Sequence, residues 1–169
     1  MSVAGQEGYA GRAPGADDLE LFAAAEQAAD RAYAPYSGFA VGAAVAGESG
    51  RVYLGVNVEN AAYPAGLCAE RAALAAAVTA GERCPRAVAV AAGPGADCLP
   101  CGVCLQALAE FGDPDVVARA GGAVRVFRLG ELLTSPFAAG GAAWGAGSAA
   151  AAGGRGSGRD AFVDEEDAG

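Results

Sequence analysis

Cysteines at 68, 101 and 104 and a glutamate at 70, in the stretches CAER and PCGVC, are the residues of this sequence best suited to chemistry. The chain has no histidine, and all 11 of its basic residues are arginines. A Ser/His/Asp triad, a histidine metal ligand, a Schiff-base lysine and a phosphate-loop lysine are thereby excluded. Thiolate, carboxylate, guanidinium and amide remain. Three thiolates suit zinc, and three protein ligands leave a fourth tetrahedral position open for water, the mark of a catalytic rather than a structural zinc. Glu70, two residues after Cys68, would stand beside that water as an acid/base group and not as a ligand.

The spacing admits other readings. Cys98 and Cys101 form a second CxxC pair overlapping Cys101 and Cys104, so CLPCGVC resembles the opening of a bacterial iron-sulfur run, with Cys68 as a distant fourth ligand. Against this, the next local cysteine is missing and helix-forming LQAL stands in its place. A third reading makes the cysteines buried, reduced core residues. That reading is preferred for Cys84 and is nearly as good as any function for Cys98.

These residues need elements to position them. A chain of 169 residues fits one domain with one core, although much of its 53% hydrophobic content is alanine, which buries little area. The net charge of -9 argues against a protein that grips a phosphate backbone, and favours small ligands or protein partners. No basic-then-apolar leader opens the sequence and no apolar run approaches the roughly 20 residues of a membrane helix, so a cytoplasmic protein without membrane attachment is expected. Five cysteines in such a chain favour metal binding, catalysis or burial over disulfides.

Residues 1–17 lack periodicity and read as a flexible arm. A helix should start after Asp17 or Asp18, either of which can cap it, with Leu19, Phe22, Ala23, Gln27 and Asp30 recurring at helical spacing. FAVGAAVA and RVYLGVNV read as strands joined by a GESG hairpin turn. CAERAALAAAVTA is a helix ended by Gly81, AVAVAA a strand, and a further helix opens near Cys101 and runs through LQALAEF. Two short strands, DVVARA and AVRVFRL, follow. Strands alternating with helices imply an α/β domain over residues 18–137 with a mixed sheet of about five strands. Residues 138–169, Gly/Ala-rich and then acidic, read as a disordered tail in which Trp144 is a stray apolar residue. Cys68 and Cys101 each open a helix. If those helices pack side by side, three sulfurs meet where two positive helix ends point, which favours thiolates.

The motifs PYSGFAVGAA, GVNVENAAYP, CAERAAL, PCGVCLQAL and ELLTSPF, in that order and spanning roughly Leu19 to Phe137, resemble the landmarks of the cytidine deaminase family in its small, three-cysteine zinc form. The resemblance implies a three-layer α/β/α fold and one zinc per chain held by Cys68, Cys101 and Cys104. It also implies that a zinc-activated water attacks C4 of cytosine in cytidine or deoxycytidine while Glu70 shuttles protons to N3 and the departing amine, giving the uracil nucleoside and ammonia. Three thiolates leave the centre at net charge -1, and Arg71 resembles the family arginine that draws charge from the sulfurs.

Asn57 and Glu59 match the family's ribose-binding pair, and an amide and a carboxylate two apart on a strand share a face in any case. Phe39 matches an aromatic that packs on the pyrimidine. By the same resemblance the protein is a homotetramer, and Ala61, Tyr63 and Phe137 reach a neighbour's site. Two positions depart from the family pattern: Leu105 stands where arginine is usual, removing a cation near the zinc, and Thr134 where proline is usual. A deaminase of another cytosine compound and a metal-binding module without activity are the remaining readings.

Overall fold

The computed structural model describes residues 11–137. A five-stranded sheet runs in the order β2-β1-β3-β4-β5. The strands are β1 (Val41–Gly47), β2 (Val52–Val56), β3 (Pro85–Ala92), β4 (Asp115–Ala120) and β5 (Ala123–Arg128). β3 and β4 pair in parallel and the other neighbours antiparallel, so the sheet is mixed, as expected. The parallel pair requires a crossover, and helix α3 (Gly102–Ala109) supplies it.

Helices cover both faces, giving the expected three layers. α1 (Ala16–Ala29) places Leu21, Phe22 and Ala25 against Ala44, Ala89, Val117 and Val126. On the other face α2 (Ala69–Thr79) and α3 bury Ala69, Ala73, Leu74, Leu105 and Leu108 against Ala43, Val45, Val88 and Val116. Much of this core is alanine, which lets the layers approach closely. A Cβ on Gly42 would lie 2.0 Å from the Ala25 carbonyl of α1, and one on Gly55 2.2 Å from the Ala73 nitrogen of α2. These two strand glycines let helix backbone rest directly on the sheet.

Several details differ from the sequence reading. α1 begins at Ala16 with Gly15 as its N-cap, and Asp18 occupies the third helical position, its carboxylate accepting from the Gly15 N–H at 2.9 Å. The capping role belongs to neither Asp17 nor Asp18 as first residue. The buried face is set by Leu21, Phe22, Ala25, Ala28 and Ala29, whereas Leu19 is exposed. The expected flexible arm to residue 17 is also too long. Arg12 pairs with Val126 through two backbone hydrogen bonds of 2.8 and 3.0 Å, extending the edge of β5, and its guanidinium meets Asp18 and Asp115 at 2.8 Å each. A 3-10 turn at Tyr63–Ala65 and a short helix α4 (Leu129–Leu132) were not anticipated. The first ten residues of the expected arm and the whole expected tail, Trp144 included, lie outside the described residues. Among the described residues, no helix is long and apolar enough to cross a membrane.

Candidate active site

Two helix N-termini on the same face of the sheet build the site. Cys68 is the N-cap of α2 and Cys101 the N-cap of α3, both with extended backbone, and Cys104 lies within the first turn of α3. The three Sγ atoms all lie within 4.8 Å of one another. Tetrahedral zinc with Zn–S bonds of about 2.3 Å spaces its sulfurs by about 3.8 Å. Cys101 and Cys104 Sγ stand 3.6 Å apart, so this pair already has the spacing of a shared zinc.

The thiols' acidities also fit a cation. Burial pushes the Cys101 thiol up, but the N–H groups of Cys104 and Val103 and the sulfurs of Cys104 and Cys68 outweigh it, and the net direction is down. Cys104, fully buried, is driven well up by burial and by the charges of Glu70 and Cys68. Three sulfurs crowded at helix N-termini, one of them without solvent, make a place where a divalent cation relieves the repulsion. Four cysteines are needed for an iron-sulfur cluster. Cys98 is not in the three-sulfur group, and burial together with the Glu70 charge holds its thiol up at about 11.

Glu70, the second residue of α2, is 5% exposed. Burial raises its pKa, opposed less strongly by its own backbone N–H, by Cys104 and by the Arg71 charge. Arg71 reaches Cys68 Sγ at 3.9 Å and the Gly66 carbonyl at 3.2 Å through one guanidinium nitrogen. The sulfur contact raises the Arg71 pKa further, and its Nε is buried without a hydrogen-bond partner. The guanidinium is thus held between the Cys68 sulfur and the Gly66 carbonyl. Leu105 does not sit among them: it is 5% exposed within the core between α2, α3 and the sheet, so apolar packing accounts for it.

Above the sulfurs opens a cavity of about 600 Å³ whose lining includes Cys68, Cys101, Glu70, Phe39, Asn57 and Glu59. Among the described residues, Arg71 is the one cation in that lining. Asn57 and Glu59 do share the cavity, but each also braces its wall. The Asn57 amide accepts from the Val41 N–H at 2.8 Å and donates to the Phe39 carbonyl at 3.0 Å. Glu59 accepts from the Tyr36 and Ser37 N–H groups at 2.8 and 3.2 Å and from the Ser37 hydroxyl. The Ser37 hydroxyl is the main reason its pKa lies below the ordinary carboxylate value. An amide has two N–H groups and a carboxylate about four lone-pair positions, so both retain capacity for a hydroxyl.

Phe39 lies just before β1 rather than within it, 46% exposed on the cavity wall. Tyr63 lines the rim at 79% exposure. Ala61 is exposed and does not line the cavity. Phe137 is outside the lining as well, yet tethered near it. The Gln106 side chain, two residues past Cys104, donates to the Phe137 carbonyl at 2.9 Å and accepts from its N–H at 2.8 Å. Sequence reasoning passed over Gln106 and gave Cys98 no place in the site, yet Cys98 lines the cavity and feels the Glu70 charge.

A family model described as the cytidine and deoxycytidylate deaminase zinc-binding region matches residues 16–120. The chain belongs to this deaminase family. A cytidine deaminase of Mycobacterium tuberculosis (strain H37Rv) is 45% identical over 113 residues, covering 67% of this chain and 84% of the relative. One from Halalkalibacterium halodurans is 41% identical over 126 residues, covering 73% and 96%. The fold agrees with the 1.6 Å crystal structure of cytidine deaminase from Burkholderia pseudomallei at a TM-score of 0.65 and 43% identity, across 70% of this chain and 98% of that one. In this member of the family the three-cysteine group fits one zinc ion per chain.

Proposed function

We propose that this chain hydrolyses the exocyclic amine of a cytosine nucleoside, converting cytidine or deoxycytidine to the uracil nucleoside and ammonia, a step of pyrimidine salvage in the cytoplasm. The observation that carries this reading is a buried Glu70 beside three convergent thiols at the floor of a nucleoside-sized cavity. Cys68, Cys101 and Cys104 would hold the zinc ion, which when bound would supply Lewis acidity toward water at neutral pH. Glu70 does the proton work: it takes one proton of the attacking water and delivers it to N3, then takes the proton remaining on the C4 hydroxyl and delivers it to the amino group, which departs as ammonia. Its burial suits this, because desolvation raises its pKa above the ordinary carboxylate value and makes the ionised group a stronger base. Arg71 offsets the negative charge of the thiolates.

The remaining lining fits a neutral nucleoside. Phe39 offers a face to the base, and Asn57 and Glu59 offer an amide and a carboxylate to sugar hydroxyls. A carboxylate in the sugar region, with Arg71 turned to the sulfurs, disfavours a phosphate there among the described residues. A homotetramer belongs to the same reading. Tyr63, in the cavity lining, and Phe137, at 79% and 78% exposure, are large aromatics that face solvent. Ala61, Tyr63 and Phe137 would then act at a neighbour's site, which light scattering across a gel-filtration peak tests at the level of assembly.

The decisive measurement follows the loss of cytidine absorbance with wild type and Glu70→Ala, each with its zinc content determined. About one zinc per chain in both proteins, and a turnover at least about 100-fold lower in the variant, is the expected result. Turnover surviving in Glu70→Ala would sink the mechanism. Comparing cytidine, deoxycytidine and free cytosine separates a nucleoside enzyme from one acting on another cytosine compound.

A further inference from the structure

Two of the three thiols are delivered by one loop, residues 93–101, between the end of β3 and the start of α3. Its first part is solvent-facing, with Pro94, Gly95 and Asp97 exposed, so burial cannot hold it there. Hydrogen bonds from three of its residues hold it instead. The Ala96 N–H closes a turn on the Gly93 carbonyl at 3.0 Å, and the Cys98 N–H donates to the Arg119 carbonyl on β4 at 3.0 Å. Between them, the Asp97 carboxylate accepts from the N–H groups of Gly121 and Gly122, one on each oxygen, at 3.0 Å each.

Gly121 and Gly122 form the tip of the β4–β5 hairpin. Both have positive φ, 62° and 78°, between the paired Ala120 and Ala123. A two-residue turn of that geometry leaves its two central N–H groups outside the strand ladder, facing one side as a small anion-binding concavity. Asp97 fills it from a segment that is distant in sequence. The carboxylate and the Cys98 N–H, on adjacent residues, grip the tip and the shaft of one hairpin. A loop fixed at two neighbouring points has lost its freedom to slide along or swing about the sheet, and Cys101 follows three residues later.

We propose that Asp97 is a positioning residue for the metal centre, holding the loop that delivers Cys101 and Cys104 by clasping the β4–β5 hairpin tip. This rests on the zinc reading given above. Asp97 itself touches neither metal nor substrate. Its contribution is to keep the α3 thiols in register with Cys68, which comes from a different helix, and partners outside a metal's own ligands typically change affinity by tenfold or more when removed.

The test measures zinc release from the full-length zinc-loaded protein to a chromogenic chelator, together with the visible ligand-field spectrum after cobalt(II) substitution. Asp97→Ala should release zinc about tenfold faster and shift or broaden the cobalt bands. Asp97→Asn retains one acceptor oxygen and should fall between it and wild type, which keeps the proposal testable where the alanine variant fails to fold. Leu21→Ala is the control, because Leu21 is buried under α1 on the opposite face of the sheet. It should lower thermal stability yet leave the release rate and cobalt spectrum at wild-type values. Wild-type release and an unchanged cobalt spectrum in Asp97→Ala overturn the proposal, as does equal acceleration in Leu21→Ala, which would reduce the effect to stability. A wild-type protein that binds neither zinc nor cobalt overturns the metal reading itself, an outcome separate from the other two.

Discussion

A buried glutamate stands near each end of helix α2, and the pKa values of the two shift in opposite directions. Glu70, near the N-terminus, is 5% exposed and its pKa is raised, chiefly by burial. Glu82, just past the C-terminus, is 8% exposed and its pKa is lowered, chiefly by the Ser49 hydroxyl. The Tyr53 hydroxyl also donates to Glu82 at 3.2 Å, and Gly47 leaves room for the carboxylate, since a Cβ there would lie 2.3 Å from the Glu82 Cδ. Burial penalises a charge wherever it occurs, and the supply of hydrogen-bond donors decides whether the charge is kept. Donors fix Glu82 as an anion that ties the β1–β2 hairpin to the end of α2. At Glu70 the donors are outweighed by burial, and its pKa rises.

The comparison predicts a division of labour. Glu70→Gln, which keeps shape and removes the charge, should lower turnover by about 10²- to 10⁴-fold without lowering the thermal midpoint. A midpoint that drops with turnover would show Glu70 to be structural, like its counterpart. Glu82→Ala should do the reverse, with a loss of a few degrees in the melting transition and kcat within about twofold of wild type. Gly47→Ala displaces the same carboxylate, so calorimetry should find its effect largely absent in a Glu82→Ala background; full additivity would mean that the two do not act through one contact.

The smallest effect concerns pH. The folded-state pKa of Glu82 lies below its ordinary value of 4.5, so its stabilisation is present above that value and is lost as the pH falls through the lower folded-state value. The difference in thermal midpoint between wild type and Glu82→Gln should therefore be flat near neutrality and shrink in acid. A difference that grows in acid would reverse the assigned direction.

The strands and the helices carrying the cysteines were legible because Val-rich runs, turn glycines and uninterrupted helix formers each point one way. The buried face of α1 was harder to read. Ala25, Ala28 and Ala29 are buried, but alanine occurs on every side of that helix, so the exposed Leu19 drew the pattern off its true face. Cys68, Glu70, Cys101 and Cys104 could be grouped from spacing and helix starts. Asp97 could not be, because its partners are backbone N–H groups more than 20 residues away and a pair of glycines signals a turn, not a ligand. Leu105 was legible as a position without the cation usual in the family, but that its side chain packs as core depends on the fold. Asn57 and Glu59 were found as a pair, but their bracing of residues 36–41 depends on a tertiary contact that the NVEN motif does not encode.

Gly55 makes no polar side-chain contact and carries no chemistry, yet it sets a mechanical tolerance for the whole centre. A Cβ there would meet the Ala73 nitrogen at 2.2 Å and the Ala69 carbonyl at 2.4 Å, and restoring ordinary contact would lift α2 from the sheet by about an ångström. Metal–ligand distances tolerate only about 0.2 Å. A single methyl group on the far strand would thus move Cys68 several times further than a shared ion can follow, while α3 and its two thiols stayed in place. The thickness of the layer between β2 and α2 is in this sense a gauge block, machined to the size of a hydrogen atom, against which the third ligand is set.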